Sequence, residues 1–246
     1  MTDLAKRYQS TIQKIDHAAL AAGREPSVVR LLAVSKTFES TLVEALWNEG
    51  QQAFGENYVQ EALAKIEELK SLRNAAKPVE WHLIGPLQSN KTAVVAEHFD
   101  WVQTIDRFKI AQRLNEQRPA HLPRLNVCIQ VNVDGGVTKS GIDCADAHVK
   151  NSIGLQAALA LARQIEGLGR LHLRGLLAIP EPELDLAKQQ AVFAKVKAVF
   201  DYLNKEGCKL DTLSMGMSAD FEAAIAAGST MVRIGSAIFG ERQYAT

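Results

Sequence analysis

The sequence predicts a single α/β domain over residues 1–246, a (β/α)8 TIM barrel with an additional N-terminal helix. Three observations predict this fold class. Eight short apolar runs alternate with helical patterns almost from end to end of the chain. Several runs are apolar on both faces, which is typical of a parallel sheet covered by helices. Eight such units in about 220 residues match the size of this barrel, and a doubly wound open sheet is the alternative.

The eight apolar runs are the predicted strands. They cover residues 29–35, 53–55, 81–85, 101–105, 126–132, 173–179, 212–216 and 231–235. In a barrel of this kind the C-terminal ends of the strands share one face, and that face carries the active site.

Amphipathic stretches separate the strands. Apolar residues recur at helical spacing in "STLVEALWNEG", "ENYVQEALAKIEELK", "RFKIAQRLNEQ", "GLQAALALARQIEGL" and "LAKQQAVFAKVKAVFDYLNKEG". Gly50 and Gly207 are predicted to end two of these helices. A further helix over residues 4–22 precedes the first strand. Residues 134–151, rich in Gly, Asp and Lys, are predicted to be a mobile loop over one end of the barrel.

Composition narrows the classes of function. The 28 basic and 28 acidic side chains give no overall field toward nucleic acid or a membrane surface, so we expect small-molecule or protein partners. No apolar stretch reaches the roughly 20 residues needed to span a bilayer, and no signal peptide is recognisable, so we expect a cytoplasmic protein. The three cysteines lack CxxC spacing and the six histidines lack a ligand pattern, so no metal site is predicted. A monomer is expected, since no extra interface element is evident.

Polar residues follow several of the predicted strands. Ser35 and Lys36 follow the first strand, and Glu56 and Asn57 follow the second. The loop "GPLQSNK" follows the third strand, which contains His82, while the seventh strand ends in "SMGMS" and the eighth in "RIGS". Because these ends share one face of a barrel, they form one candidate site.

Lys36 is the candidate nucleophile of that site. A lysine beside a strand is most often a solvated surface charge. At a barrel mouth, with its stem against apolar neighbours, it would lose solvation, and its pKa would fall. More neutral amine would then be present to attack an aldehyde, which suits Schiff-base chemistry.

The last two units offer an anion cradle. Gly216 and Gly235 let the backbone approach an anion, Ser218 and Ser236 can donate hydrogen bonds, and Arg233 adds a charged fork. Each glycine taken alone is better explained as a tight turn, but the cluster favours phosphate, which this fold commonly binds after strands seven and eight. An amine facing an anion cradle suits a ligand with an aldehyde and a phosphate, such as pyridoxal 5′-phosphate (PLP).

Three further residues have weaker assignments. His82 could touch the ligand, although an interior strand histidine is more often a hydrogen-bonded core residue. Asn57 can point its amide at a ring hydroxyl. "GGVTKSG" resembles a phosphate loop, but Val133 and Thr138 stand where that motif needs glycine, so nucleotide binding is not supported. Lys139 is predicted to be a charge near the ligand on the loop.

Several motifs together resemble a known family. "LLAVSKT", "FGENYVQEA", "WHLIGPLQSNK", "KSGI", "LRGLLAIP" and "LSMGMSADFEAAIAAGSTMVRIGSAIFG" look like the YggS/PROSC family of PLP-binding proteins, also called pyridoxal phosphate homeostasis proteins. The resemblance implies a barrel like the N-terminal domain of alanine racemase, of PLP fold type III, with PLP held covalently. It implies that Lys36 forms the aldimine and that Asn57 and His82 line the ring. The residues that it places around the phosphate are Met217, Ser218, Arg233, Gly235 and Ser236.

The same resemblance implies a function without an established turnover reaction. The implied function is intracellular vitamin B6 homeostasis and the balance of amino acids and keto acids. Delivery of PLP to apoenzymes is a further expectation. No residue is assigned a catalytic role. Ala219 departs from the acidic residue expected in many relatives, which would modestly weaken interaction with the positive helix end.

An enzyme remains the alternative. A PLP-dependent amino-acid racemase needs a second acid/base opposite Lys36, which in the racemases is a tyrosine from a further domain. The four tyrosines of this chain, Tyr8, Tyr58, Tyr202 and Tyr244, fall on predicted helices or at the terminus. A class I aldolase ranks last, because its lysine usually comes from a later strand.

Overall fold

The computed structural model describes residues 2–135, 140–147, 149 and 152–240, and its strands are all parallel. They are β1 (Arg30–Val34), β2 (Ala53–Glu56), β3 (Glu80–Leu83), β4 (Trp101–Ile105), β5 (Leu125–Asn132), β6 (Ile142–Asp143), β7 (Leu171–Ala178), β8 (Thr212–Ser214) and β9 (Met231–Ile234). Eight of them close into a barrel in the order β1-β2-β3-β4-β5-β7-β8-β9, since β1 pairs with β9 and β4 with β5. The predicted barrel is confirmed, and the open-sheet alternative is wrong.

Helices surround the barrel. They are α1 (Asp3–Ala21), α2 (Ser40–Asn48), α3 (Val59–Glu68), α4 (Thr92–His98), α5 (Phe108–Gln117), α6 (Ile153–Glu166), α7 (Leu186–Lys205), α8 (Phe221–Ala226) and α9 (Ser236–Phe239). Short 3-10 turns lie at Pro26–Val28, Lys70–Asn74 and Ser89–Lys91. Within the part of the chain that the structure describes, no helix is long and apolar enough to cross a membrane.

The strands are buried on both faces, as the apolar runs predict. In β1, Leu31 and Ala33 belong to the large apolar cluster between the barrel and its helices, while Leu32 and Val34 belong to a second cluster. The second cluster fills the barrel interior, and it also holds Ala53, Ile84, Trp101, Cys128, Leu177 and Met231. All three cysteines of the chain are unpaired and buried. Two-sided burial fixes the register, because a shift of one residue would exchange the two faces.

The additional N-terminal helix packs against the last two helices. Thr2 caps α1 by accepting a hydrogen bond from the Ala5 N–H, and its buried face includes Tyr8 and Ile15. Arg7 Nε donates to the Ile238 carbonyl at 2.7 Å. Arg24 Nη1 donates to the carbonyls of Ile225 and Ser229, both at 2.7 Å. Helix α1 therefore ties the start of the chain to the units that end it.

The predicted boundaries need two corrections. Five predicted strands, 29–35, 81–85, 173–179, 212–216 and 231–235, run one or two residues too far, because their final residues, including Gly216 and Gly235, belong to the turns that leave the barrel. The predicted loop 134–151 contains the short strand β6, whose Ile142 and Asp143 lie opposite Val131 and Asn132 of β5. Lys139 lies outside the described residues, and the mobility of this segment stays a prediction.

Gly175 of β7 permits the close approach of β8. A Cβ atom at this position would overlap the carbonyl oxygen of Thr212 on the neighbouring strand. We expect Gly175→Ala to lower the free energy of unfolding by at least about 2 kcal/mol, since the backbone must shift. Urea unfolding followed by circular dichroism measures it. Gly169→Ala is the control, because a Cβ there meets nothing within 4 Å, and its stability should be unchanged or slightly raised.

Candidate functional site

A cavity of about 400 Å3 opens where the barrel strands end. Its volume falls within the range of small-molecule sites. The residues that line it are Val34, Lys36, Asn57, Ile84, Ile179, Met217, Ser218, Ala219, Arg233, Gly235 and Ser236. Seven of the eight residues predicted for the site are therefore brought together around one cavity, and His82 is the exception.

Lys36 reaches the cavity because of its place two residues after the end of β1. Leu32 and Val34 face the barrel interior, and side chains alternate along a strand, so Lys36 faces the same way beyond the strand. Val34 and Ile84 form apolar wall beside it. The lysine is half-buried. This is the environment that the sequence predicts for an amine with reduced solvation.

Ser35 faces the opposite way, into a buried ionic network. Its hydroxyl donates to Glu56 Oε1 at 2.6 Å, and Lys65 Nζ donates to the Ser35 carbonyl at 2.7 Å. Lys65 Nζ also lies 2.9 Å from Glu56 Oε1 and 2.6 Å from Glu61 Oε1. The network thus holds Ser35, the residue immediately before Lys36, through both its side chain and its backbone.

Burial makes this network sensitive to the loss of a member. Glu56 is fully buried and Lys65 is 5% exposed. Burial raises the pKa of Glu56, and Lys65 and the Ser35 hydroxyl oppose that rise. The mutual bonds offset the cost of desolvating two charges, and removing one partner would leave the other uncompensated.

The turn after Lys36 has an unusual backbone. Thr37 has φ of +68°, in the left-handed region that β-branched residues rarely adopt. Its N–H donates to Glu61 Oε1 at 2.5 Å, so the same network that holds Ser35 also holds Thr37. Both neighbours of Lys36 are therefore fixed by the side chains of Glu56, at the end of β2, and of Glu61 and Lys65, on α3.

The two candidate anion-binding turns also line the cavity. Gly216 has φ of +96°, and a Cβ there would lie 2.6 Å from the Ala224 Cβ, so the turn packs directly on α8. Ser218 and Ser236 are exposed. Ser236 is the first residue of the short helix α9, and Ser218 precedes the first residue of the short helix α8 by three positions. The N–H of Met217 donates to Asp220 Oδ1 at 2.6 Å. The residues predicted for the cradle thus line one cavity, and the Met217 N–H is engaged by Asp220.

Strand pairing places the amine beside one of these turns. In the β1–β9 register, Leu32 lies opposite Arg233 and Ala33 opposite Ile234. The chain segments that continue these strands stay together, since the rings of Phe38 and Phe239 stack with centroids 4.9 Å apart. The turn that carries Lys36 and the turn that carries Ser236 are thus neighbours, although they are far apart in sequence.

Arg233 lies deeper than the turns. It is 3% exposed, and its Nη1 donates to the Ser214 carbonyl at 2.7 Å and to the Ser214 hydroxyl at 3.0 Å. Its Nη2 donates to the Ala178 carbonyl at 2.8 Å. Burial lowers the pKa of the guanidinium to about 10, so it stays charged at neutral pH. Among the described residues, no carboxylate forms a salt bridge with Arg233, although the charge of Asp220 acts on its pKa from a distance.

His82 lies inside the barrel and does not line the cavity. It is fully buried, its ring stacks on Trp101 with centroids 5.0 Å apart, and its two nitrogens lie 2.8 Å from Glu80 Oε1 and 2.8 Å from Gln103 Nε2. Ile84, two residues further along the same strand face, forms the cavity wall instead. His82 is therefore not in the cavity wall, where the sequence predicts it beside the ligand ring.

Asn57 reaches the cavity beside a tight backbone contact. A Cβ on Gly85 would overlap the backbone of Asn57, so only glycine lets these two loops meet. The Ile84 N–H donates to the Glu56 carbonyl at 2.9 Å just below this contact. The position of the Asn57 amide therefore depends on the loop "GPLQSNK" as well as on its own strand.

Sequence reasoning missed the apolar wall and the ionic network. Val34, Ile84 and Ile179 line the cavity. Each of them stands two residues after a residue that faces the barrel interior, and this spacing is the sequence feature that could have revealed them. Lys65 had a subtler signal. It follows Glu61 by four residues and lies among the apolar residues Ala62 and Ile66 of α3, where a solvated lysine is not expected.

Comparison with known proteins bears on this site. Residues 12–243 match the family described as alanine racemase, N-terminal domain. A pyridoxal phosphate homeostasis protein from Pseudomonas aeruginosa is 51% identical over 244 residues, which is 99% of this chain and 98% of the relative. This chain belongs to the pyridoxal phosphate homeostasis protein family. The resemblance carried by the sequence motifs is confirmed.

Solved structures with the same fold include a relative and a more distant enzyme. PipY of Synechococcus elongatus PCC7942, with PLP bound, is 34% identical with a TM-score of 0.77, and the match covers 97% of this chain and 100% of PipY. An alanine racemase of Clostridium difficile 630 shares the fold alone, at 16% identity and a TM-score of 0.65, over 96% of this chain and 57% of the racemase. The pyridoxal phosphate homeostasis barrel is thus of the racemase, fold-type III kind.

The Lys65–Glu56 pair can be tested by stability. We expect Lys65→Met to lower the free energy of unfolding by about 3–5 kcal/mol, because Glu56 would be left as a buried charge. A Lys65→Met/Glu56→Leu double variant should recover part of that loss. Lys70→Met serves as control, since Lys70 and Glu67 form an exposed pair, and should change little. Equal losses for Lys65→Met and Lys70→Met would contradict the network, and urea unfolding measures all three.

Proposed function

We propose that this protein binds PLP at the barrel mouth and takes part in intracellular vitamin B6 homeostasis. The observation that carries the proposal is the single cavity that holds an amine, Lys36, and two small-residue turns, those of Ser218 and Ser236. The volume of about 400 Å3, the apolar wall and the adjacent donors fit a flat ring that bears an aldehyde and a phosphate. The relatives named for pyridoxal phosphate homeostasis and the PLP-bound PipY support it.

We assign Lys36 as the residue that holds the cofactor covalently. When bound, PLP supplies an aldehyde carbon that condenses with an amine. The chain supplies the amine on a turn whose two flanking residues, Ser35 and Thr37, are fixed by the ionic network. The wall of Val34 and Ile84 excludes water from the lysine stem. Asn57 is the proposed polar contact for the ring.

Donors from the turns that follow β8 and β9 are proposed for the phosphate. The hydroxyls of Ser218 and Ser236 and the backbone near Met217 and Gly235 line the cavity at its rim. Gly235 is needed for close approach, since a Cβ there would lie 3.0 Å from the Val34 carbonyl oxygen. Arg233 adds positive charge from the cavity floor. Three of its five N–H donors already serve Ser214 and Ala178, so up to two could serve a ligand.

A non-catalytic function is favoured over the racemase alternative. A racemase needs a second proton donor or acceptor opposite the lysine. Of the three tyrosines that the structure describes, none lines the cavity, and Tyr202 accepts a hydrogen bond from Gln156 on the barrel exterior. Tyr244 lies outside the described residues. Racemisation of amino acids above the rate of a Lys36→Ala variant would favour the alternative.

Delivery to apoenzymes is the finer part of the proposal. A half-buried amine at an open mouth can release what it holds without a domain movement. Mixing loaded protein with an apoenzyme, and comparing its activation with that by equimolar free PLP, separates a donor from a store. The monomeric state and the cytoplasmic location stay predictions.

Borohydride reduction tests the assignment of Lys36. After reduction of the PLP-loaded protein, we expect the cofactor mass on the peptide that contains Lys36, measured by mass spectrometry, because this amine faces the cavity. The control is Lys70→Met, which removes an exposed lysine outside the cavity lining and should keep the label. Recovery of the label on Lys139 alone would refute the assignment.

Arg233→Ala tests the contribution of the guanidinium. We expect the affinity for PLP to fall by about tenfold or more, and the affinity for pyridoxal to fall less, since a charged donor interacts most strongly with the phosphate. Titrations followed by absorbance give both dissociation constants. Equal losses of affinity for PLP and pyridoxal would contradict a contact with the phosphate and would mean that Arg233 contacts the ring or only supports the structure of the cavity.

A further inference from the structure

A continuous series of hydrogen bonds runs through the barrel interior. At the N-terminal end of the strands, Arg30 donates to Glu80 through two bonds, of 3.1 Å to Oε1 and 2.9 Å to Oε2. Glu80 Oε1 lies 2.8 Å from His82 Nε2. His82 Nδ1 in turn lies 2.8 Å from Gln103 Nε2. The series thus enters the barrel from its solvent-exposed lower face.

The series continues to the cavity floor. The Ser214 hydroxyl donates to Gln103 Oε1 at 2.7 Å and accepts from Arg233 Nη1 at 3.0 Å. His82, Gln103 and Ser214 are fully buried, and Arg233 lines the cavity. We call these residues, with Arg30 and Glu80, the axial chain. It joins the lower face of the barrel to the proposed ligand site.

The two charged ends fix where every proton lies. Arg233 can only donate, so the Ser214 hydroxyl accepts from it and sends its own hydrogen to Gln103. Gln103 then presents its oxygen to Ser214 and its amide N–H groups to His82 Nδ1 and, at 3.2 Å, to the sulfur of Met231. His82 Nδ1 must accept, so the ring carries its hydrogen on Nε2 and donates to Glu80. All donors of the series between Arg233 and Glu80 point toward Glu80.

The electrostatics agree with a neutral ring between ionised ends. Burial lowers the pKa of His82, although Glu80 opposes that effect. Burial raises the pKa of Glu80, but the bonds from His82 and Arg30 outweigh it, so the pKa lies well below its ordinary value. The stacked Trp101 holds the imidazole plane. A neutral histidine with one fixed tautomer is the form that the series requires.

The arrangement of Arg233 depends on this direction. Its Nη1 is held by Ser214 alone, through the carbonyl and the hydroxyl, and the hydroxyl is oriented by Gln103. Without the Gln103 oxygen, the Ser214 hydrogen would lose its buried acceptor, and the hydroxyl would no longer be fixed as an acceptor for Arg233. The guanidinium would then keep only the carbonyls of Ser214 and Ala178, so its position at the cavity floor would be less well defined.

We propose that Gln103, and His82 through it, are positioning residues that hold the Arg233 guanidinium at the floor of the ligand cavity. Neither lines the cavity, so both act only through Ser214. The proposal rests on the proposed function for the identity of the ligand. It also gives His82 a different part from the ring contact that the sequence predicts.

Gln51 provides a matched control for Gln103. It is also a buried glutamine, 5% exposed, and its Nε2 donates to the carbonyls of Leu31 at 3.1 Å and Ala53 at 2.6 Å. Its bonds go to the backbone and to Tyr8, and it makes none with the axial chain. Gln51→Leu therefore removes the same buried amide without touching Arg233.

The first experiment compares ligand affinity in Gln103→Leu and Gln51→Leu. Both should lose stability, as measured by urea unfolding. For Gln103→Leu we expect the dissociation constant for PLP to rise by about tenfold or more, since a charged contact is misplaced, and for Gln51→Leu by less than about twofold. Equal changes in both variants, or unchanged binding by folded Gln103→Leu, would overturn the proposal.

The second experiment uses Gln103→Glu, which keeps an acceptor for Ser214 and loses the donor to His82. We expect PLP affinity within about threefold of the parent, because one oxygen still orients the Ser214 hydroxyl. His82, now between two carboxylates, should become doubly protonated, and nitrogen NMR of the ligand-free protein reads this directly. A loss of affinity equal to that of Gln103→Leu would overturn the proposal.

The same NMR measurement on the ligand-free parent protein separates the proposal from the proposed function. A neutral His82 with its hydrogen on Nε2 is required by the direction of the axial chain. A hydrogen on Nδ1 would overturn the axial chain even if PLP binds at Lys36. Failure of the borohydride label to appear on Lys36 would instead overturn the proposed function and leave the tautomer result standing.

Discussion

Parallel pairing of β1 with β9 is the interaction on which the site depends. It closes the barrel, and it does so between the first and the last strands of the chain. The residues that follow those two strands are Lys36 and the turn of Gly235 and Ser236. Lys36 and one of the two candidate anion-binding turns therefore become neighbours only when the sheet is complete, so the candidate site forms by closure of the barrel.

The end of β1 then divides its side chains between two environments. Ser35 enters a buried ionic network with Glu56 and Lys65, whereas Lys36 enters the cavity. The proposed covalent role of Lys36 needs a fixed backbone. The network supplies the fixed backbone from outside the barrel, where it does not compete with a ligand for space. The same division recurs at β9, where Ile234 packs outward and Arg233 inward.

Much of this arrangement follows from periodicity in the sequence. Two-sided apolar runs predict the barrel. Because the C-terminal ends of its strands share one face, the sequence also predicts that Lys36, Asn57 and Ser236 lie close together. Periodicity also states that His82 faces inward, but it does not state at which depth. Ile84 occupies the layer at the mouth, so the histidine lies one layer below, where an interior hydrogen-bond partner decides its role.

The features that escaped the sequence depend on side chains meeting across elements. Lys65 is buried because α3 sets its amine against the end of β2, and helical spacing alone does not reveal that contact. Met217 has its N–H taken by Asp220, three residues later, because Gly216 turns the chain back on α8. The short strand β6 has only two paired residues, too few to show a pattern.

The burial of the three cysteines has a chemical consequence for a protein that handles a reactive carbonyl compound. Thiolates add readily to aldehydes and would compete with an amine. Burial raises the pKa of Cys128, which belongs to the same interior cluster as the cavity wall residues Val34 and Ile84, and raises that of Cys144 to about 12. The thiols are thus buried and protonated, which leaves the amine of Lys36 as the proposed nucleophile for the carbonyl carbon.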